Sequence, residues 1–316
     1  MKATTKLFHT QGTLYTFSED AHLESWIEAF LIDRKVQNVS EGTLSFYRKK
    51  LKVFAAYCET QVITNISDLT PTTLRQFLLY LEDTGHNPGG IHAFYRSIRA
   101  FLNWWEEEAE PEMWKNPIKK VKPPRVPNEP LDPARISDIS RLLDACEKDT
   151  FTGRRDRAIL LCLLDTGTRA QEFLDILLED INPIKGDILI RQGKGRKPRV
   201  VYLGRKSRRA VRIYLRNRSD DASWLWMRKD GTSPLKYDGL RAIIIRRSHL
   251  SKIPPPSLHA FRRAFAINML RSGTDLHTLA KLMGHSDIAI LQRYLKLDDG
   301  DTQAAHLRAG PVDHLL

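Results

Sequence analysis

Cysteine is scarce in this chain and never clustered. Cys58, Cys146 and Cys162 are the only three in 316 residues, and they stand far apart in apolar, helical contexts. With no CxxC pair, neither a disulfide framework nor a zinc site is indicated, and a reducing cytoplasm is the expected compartment. Long apolar runs are also missing. The longest, from Ala158 to Leu164, falls far short of the ~20 residues that span a bilayer. The opening "MKATTKLFHTQG" has no apolar signal region, so a soluble, intracellular protein is expected.

The usual sources of phosphate chemistry are absent as well. There is no G-x-x-x-x-G-K-[ST] loop to cradle a nucleotide and no H-E-x-x-H, and the ten histidines show no metal-ligand pairing. No metal and no cofactor are therefore expected. One stretch, "EFLDILLEDI", gathers Glu172, Asp175, Glu179 and Asp180. On a helix these carboxylates scatter around the axis, which argues against a metal-dependent nuclease.

Positive charge is what the chain has in excess. Fifty Lys and Arg against 38 Asp and Glu give a net charge of +12. Such an excess points to an anionic partner, of which nucleic acid is the commonest. The charge is also concentrated. From Ile188 to Ser219 there are twelve Lys or Arg and no Asp or Glu, a one-sign surface suited to phosphates.

The periodicity predicts a mainly α chain with one small β-hairpin, in two bodies. Residues 18–112 read as four helices behind an N-terminal tail of residues 1–17. Ser18, Ser40 and Thr70 are expected as caps for the first three, with Pro71 in the first turn of the third. Leu44, Leu51, Phe54, Leu74, Phe77, Phe94, Ile98 and Trp105 recur at helical spacing and supply a core. Basic clusters on the polar faces, including Arg48 and Lys49, are candidate phosphate contacts. Residues 113–133 form a proline-rich strap carrying Lys119, Lys120, Lys122 and Arg125, expected to run extended and to join neither core. The second body covers residues 134–316, with a tail over 297–316. Within it, Asp187–Arg191 and Lys197–Leu203 alternate as a hairpin turning through "QGKGR".

The second body holds a scattered set of cations and one phenol. "LLDTGTRAQEFLDI" places Arg169 after a glycine turn at a helix start, with Glu172 three residues on, on the same face. "SLHAFRRAFAINML" places His259 and Arg262 three apart on one helical face. Lys194 stands on the hairpin tip, His285 opens a helix in "MGHSD", and Tyr294 closes it. Each has a structural alternative: Arg169 pairing with Glu172, His259 capping a helix, Lys194 merely solvated, Tyr294 filling a core. Together they fit one reaction. Attack on a phosphodiester spreads charge over its non-bridging oxygens, and a fixed cage of cationic donors stabilises it without a metal. The same cage activates a phenol, whose ordinary pKa of ~10 makes it a poor nucleophile.

At this point the chain resembles the tyrosine recombinases, or phage integrases. The matching pieces are "TGTRAQEFLDI", "RQGKGRKPRVVYL", "HAFRRAFAINMLRSG" and "LAKLMGHSDIAILQRYLK", in that order, behind a bundle similar to the family's SAM-like core-binding domain. The resemblance implies Arg169 and Arg262 as catalytic arginines, Glu172 as supporting acid, and Lys194 as general acid. It further implies His259 assisting proton transfer, His285 on the scissile phosphate, and Tyr294 as nucleophile forming a 3′-phosphotyrosyl link. Where the family often carries histidine after the second arginine, this chain has Arg263, an additional candidate for a phosphate contact. Arg196, Lys197, Arg241, Arg246 and Arg247 complete the candidate DNA-binding set. The implied assembly is a homotetramer on two DNA duplexes, from chains that are monomers or dimers when free, with the tail docking on a neighbour. A type IB topoisomerase-like activity and a catalytically silent DNA-binding protein stay open as alternatives.

Overall fold

The structure is a computed structural model that describes residues 22–127, 132–191, 198–284 and 307, and the backbone of 6–10 and 13–17. The chain divides into two compact units, residues 1–128 and 129–316.

In the first unit, β1 (Lys6–Thr10) and β2 (Thr13–Phe17) pair antiparallel, from Lys6 opposite Phe17 to Thr10 opposite Thr13. The stretch expected as a plain tail is therefore a ladder, in keeping with its Thr, Leu, Tyr and Phe content. Four helices follow: α1 (Leu23–Val36), α2 (Glu41–Thr60), α3 (Pro71–Asp83) and α4 (Pro88–Ala109). Ser40 and Thr70 cap α2 and α3, each hydroxyl accepting from the backbone N–H three residues on. The first helix departs from expectation. It starts at Leu23 with no side-chain cap, and Ser18 lies outside the described residues. The core is aromatic, with Trp26, Phe30, Phe54, Phe77, Phe101 and Trp105 all buried. Edge-to-face pairs lock it, among them Phe54 with Phe77 at 5.0 Å and Trp26 with Trp105 at 6.1 Å.

The strap corrects the sequence reading. Its first part joins the core of this unit. Pro117–Lys120 winds into a 3₁₀ turn, which tolerates proline at its first position, and Ile118 and Val121 are buried against the bundle. Each contributes ~1.5–3 kcal/mol by burial. Buried Asn116 donates to the carbonyl of Leu102 at 3.2 Å and to Glu106 Oε2 at 3.1 Å. The hydroxyl of Tyr95 donates to the Val121 carbonyl at 2.9 Å. Prolines excluded a long helix here but not packing.

The second unit is helical around α6 (Phe151–Thr166), with α5 (Ile136–Asp144), α7 (Ala170–Leu174), α8 (Arg205–Leu215), α9 (Tyr237–Leu250), α10 (Leu258–Arg271) and α11 (Leu276–Met283). The expected hairpin is present as β3 (Asp187–Ile190) and β4 (Arg199–Tyr202), antiparallel with Ile190 opposite Arg199. Ile188, Ile190 and Val201 face the core, where Phe173, Trp226 and Tyr214 stack with centroids 4.8 and 5.7 Å apart.

A carboxylate is also buried in this core. Asp156 has no solvent exposure, and Arg155, Arg246 and Arg247 converge on it at 2.7–2.9 Å. Arg247, expected to contact DNA, is 2% exposed; it donates to Asp156 Oδ2 and to the Ala145 carbonyl, so it braces α9 against α6 and presents nothing to a ligand. Arg263 is corrected in the same way. It is buried, and its guanidinium donates twice to the Asp132 carbonyl, at 2.9 and 3.1 Å. Removing one member of such a buried set strands the others. Asp156→Ala is expected to lower unfolding stability by ~3–5 kcal/mol, measured by urea titration.

Candidate active site

The site begins at the end of α6. Gly167 terminates that helix at φ +57°, where a Cβ would stand 2.2 Å from the Phe265 ring, so both conformation and space require glycine. The turn delivers Arg169 to the residue preceding α7. Three residues later Glu172 reaches back: Oε2 accepts from the Arg169 backbone N–H at 3.1 Å, and Oε1 accepts from its Nη1 at 2.8 Å. The same carboxylate accepts from Nη2 of Arg199, on β4, at 2.7 Å. Glu172 is buried, whereas the Arg169 side chain remains 29% exposed.

Arg262, from α10, is 2% exposed. It donates to the Gly167 carbonyl at 2.5 Å and to the Met283 carbonyl at 2.8 Å. Arg199 Nε donates to the Leu282 carbonyl at 2.9 Å, and Arg169 Nη2 to the Gly284 carbonyl at 3.5 Å. Three consecutive carbonyls at the C-terminal end of α11 thus each accept from a different arginine. That end carries the negative pole of the helix, so the cations are favoured there twice over. Gly284 caps α11 in the left-handed region at φ +64°, and a Cβ there would lie 2.9 Å from Nη1 of Arg199.

His259 sits exposed on the first turn of α10, which Ser257 caps by accepting from the Ala260 N–H at 3.1 Å. Partial desolvation, then the guanidinium charges of Arg262, Arg263 and Arg169, hold its imidazole below the ordinary value. It is therefore neutral at neutral pH and able to accept a proton. Burial pushes Glu172 upward, but hydrogen bonds from Arg199 and Arg169 outweigh it and bring the carboxyl down to about 2.

The structure brings Arg169, Glu172, His259 and Arg262 onto neighbouring elements. Lys194, Arg196, Lys197, His285 and Tyr294 lie outside the described residues. Arg199 is the residue that sequence reasoning passed over. Its signal was parity: Val201 faces inward, so Arg199 two positions earlier does too, and a charge at an inward strand position needs a buried partner. The remaining carboxylates of "EFLDILLEDI" are engaged elsewhere. Asp175 accepts from Gln171 at 2.8 Å, and Glu179 and Asp180 both accept from Arg191 at 2.5 Å. Among the described residues no group of three or more His, Cys, Asp or Glu is placed to hold a metal ion.

Of the expected DNA contacts, Arg48, Lys49, Lys120, Lys122 and Arg241 are exposed, and Lys119 is paired with Glu106 at 2.7 Å. Arg246 keeps a half-exposed side chain while bonded to Asp156. It lines a pocket of about 440 Å³ with Arg228, Lys229 and Lys236, three cations the sequence reading did not single out.

Residues 135–300 match the phage integrase family, and residues 23–104 match the phage integrase SAM-like domain. The chain belongs to the phage integrase family. Members of this family are tyrosine recombinases, enzymes that cleave and rejoin DNA. Similar relatives include tyrosine recombinase XerC of Pseudomonas syringae pv. syringae, 30% identical over 88% of this chain and 92% of its own. Tyrosine recombinase XerD of Staphylococcus saprophyticus is 28% identical over 87% and 93%. Two solved structures share the fold. A lambda integrase dimer bound to a COC′ core site superposes with TM-score 0.71 at 15% identity, over 85% of this chain and 97% of that one. The Tn1549 transposon integrase in complex with circular intermediate DNA superposes with TM-score 0.70 at 16% identity, over 92% and 99%. The two family matches fall one in each compact unit, the SAM-like match on the helical bundle and the integrase match on the unit carrying Arg169 and Arg262.

The depressed Glu172 carboxyl fixes a pH dependence. Its folded value of about 2 lies below the ordinary 4.5. The stabilisation it gives is therefore fully present above pH ~4.5 and lost as pH falls toward ~2, a change of up to about 3 kcal/mol. Glu172→Gln is expected to flatten that limb of a stability-versus-pH profile measured by denaturant unfolding.

Proposed function

We propose that this chain is a site-specific DNA recombinase that cuts one strand with Tyr294 and rejoins it to another, using no metal and no nucleotide. The observation that carries the reading is the fastening of Arg169, Arg199 and Arg262 to the last carbonyls before His285. It ties the cationic cage to the segment that leads to Tyr294.

In this reading exposed Arg169 grips the non-bridging oxygens of the scissile phosphate, joined by His285, and Arg262 adds its charge from behind: the Gly167 and Met283 carbonyls that hold it do not cancel that charge as the Asp156 carboxylate cancels that of Arg247. Neutral His259 takes the phenolic proton as the Tyr294 oxygen attacks phosphorus. The bond from phosphorus to the 5′ oxygen breaks, and Lys194 supplies the proton to the departing oxygen. The phosphodiester bond is conserved as a 3′-phosphotyrosyl link. A 5′-hydroxyl from the partner strand reverses each step, so no outside energy source is needed. Glu172 and Arg199 are positioning residues: they hold Arg169 and the end of α11 in place.

DNA lies along Arg48, Lys49, Lys119, Lys120 and Lys122 on the first unit, and along Arg196, Lys197, Arg228, Lys229, Lys236, Arg241 and Arg246 on the second. Four copies assemble on two duplexes. The tail, residues 297–316, docks on a neighbour. A receiving surface of suitable chemistry is the groove of about 860 Å³ between α5, α6 and α8, floored by Leu143, Leu161, Leu164 and Ile213, with five cations on its rim, Arg157, Lys206 and Arg209 among them, against the two carboxylates Asp144 and Glu147. The tail supplies Asp298, Asp299 and Asp301 to such a rim, and Leu307, Leu315 and Leu316 to such a floor. Relaxation of supercoiled plasmid by single copies, without pairing of sites, would replace this reading with a topoisomerase-like one.

Tyr294→Phe is expected to bind DNA like the parent and to give no denaturant-resistant protein–DNA adduct on gel electrophoresis. An adduct that persists identifies another nucleophile. Lys194→Ala is expected to slow cleavage by ~10²-fold or more, with recovery on a substrate whose 5′ leaving atom is sulfur and needs no proton. Absence of that recovery removes Lys194 as the acid.

A further inference from the structure

The first unit carries two exposed patches of opposite character, one at each end of α4. The first is a groove of about 600 Å³ between α3, the first turn of α4 and residues 120–125 of the strap. Leu78, Leu79, Ile91 and Val121 form its floor, and Leu79 is 58% exposed. Arg75, Lys120, Lys122 and Arg125 surround it, against a single carboxylate, Glu82. The rim has fixed geometry on one side, where Arg75 donates to the Lys120 carbonyl at 2.9 Å. DNA along Lys120 and Lys122 would gain nothing from Leu78 and Leu79 and would leave Arg75 and Arg125 for another partner. An apolar floor under a cationic rim instead matches a protein segment that presents an apolar side chain flanked by carboxylates.

The second patch has that composition. Past the end of α4 the chain reads "EPEM", with Glu110, Glu112 and Met113 exposed, Met113 completely so at 100%. Glu110 at φ +46° and Met113 at φ +59° both occupy the left-handed region, which turns this stretch into a hook. A unit cannot fill its own groove. Ile91 in the groove and Glu110 in the hook are ~28 Å apart along the α4 axis, and Asn116, bonded to Leu102 and Glu106, holds the chain after the hook against the far half of that helix.

We propose that the acidic hook of one copy seats in the groove of a second copy, with Met113 on the apolar floor and Glu110 and Glu112 against Arg75 and Arg125, the rim cations not assigned to DNA. The contact joins unlike surfaces, so it links first units head to tail and closes on itself only as a ring. It rests on the tetramer proposed above and names a surface that builds it.

The test uses full-length chains. The three native cysteines are buried, with the thiols of Cys58 and Cys146 pushed up by burial to about 12 and about 11, so introduced thiols dominate labelling. Met113→Cys and Leu79→Cys chains are mixed with plasmid DNA and treated with a short bis-maleimide. A two-chain product in the mixture, and in neither variant alone, is expected. Adding Glu110→Lys and Glu112→Lys to the Met113→Cys chain is expected to lower its yield roughly tenfold, with Arg125→Glu in the Leu79→Cys chain restoring part of it. The proposal is overturned by no product from a mixture of folded chains, by Leu79→Cys linking to itself, or by a yield that ignores the charge reversals. Failure here is separable from failure of the recombinase reading. A Tyr294 adduct without the cross-link removes the hook alone, and the cross-link without an adduct removes the chemistry alone.

Discussion

The site depends on one buried carboxylate. Glu172 accepts from the backbone and side chain of Arg169 and from Arg199, and so binds the start of α7 to the β4 strand. Each of those arginines also reaches the end of α11. Without the carboxylate, guanidiniums held this close would repel one another and turn outward to water. With it, they form a rigid array that keeps a net positive charge for a phosphate to meet. Preorganisation of this kind lowers a barrier because the donors need no rearrangement when charge develops.

A second carboxylate has the opposite outcome. Asp156 gathers Arg155, Arg246 and Arg247, but two of those guanidiniums are buried and spent on structure. Exposure separates the arginines within and between the clusters: Arg169 and Arg246 keep side chains open to solvent, whereas Arg155 and Arg247 do not. In a chain of net charge +12, counting basic residues near a helix end therefore overestimates the ligand-facing set. Arg247 and Arg263 were misjudged for this reason. Both lie in basic runs, and both satisfy carbonyls or carboxylates that only the fold brings near.

Much of the architecture was legible beforehand because local signals agreed with packing. Ser40 and Thr70 capped the helices they were expected to cap, and the hairpin paired where period-two alternation placed it. Arg169 and Glu172, three apart after a glycine turn, met as spacing predicts. The first part of the strap was misread because proline reports on backbone freedom and says little about whether Ile118 and Val121 find a hydrophobic surface. Arg199 was missed because its partners lie 27 and 83 residues away. No window of the sequence contains such pairs, and only the inward parity of the strand hinted at one.

The carbonyl contacts differ in how readily they give way. Arg262 is clasped at both terminal nitrogens by bonds of 2.5 and 2.8 Å, so its plane cannot swivel. Arg169 holds Gly284 by a single long contact of 3.5 Å. An arriving anion competes for that weakest proton first. Of these two guanidiniums, Arg169 is thus the one that can turn to a ligand by giving up a single weak bond, while Arg262 stays fixed as a stationary charge.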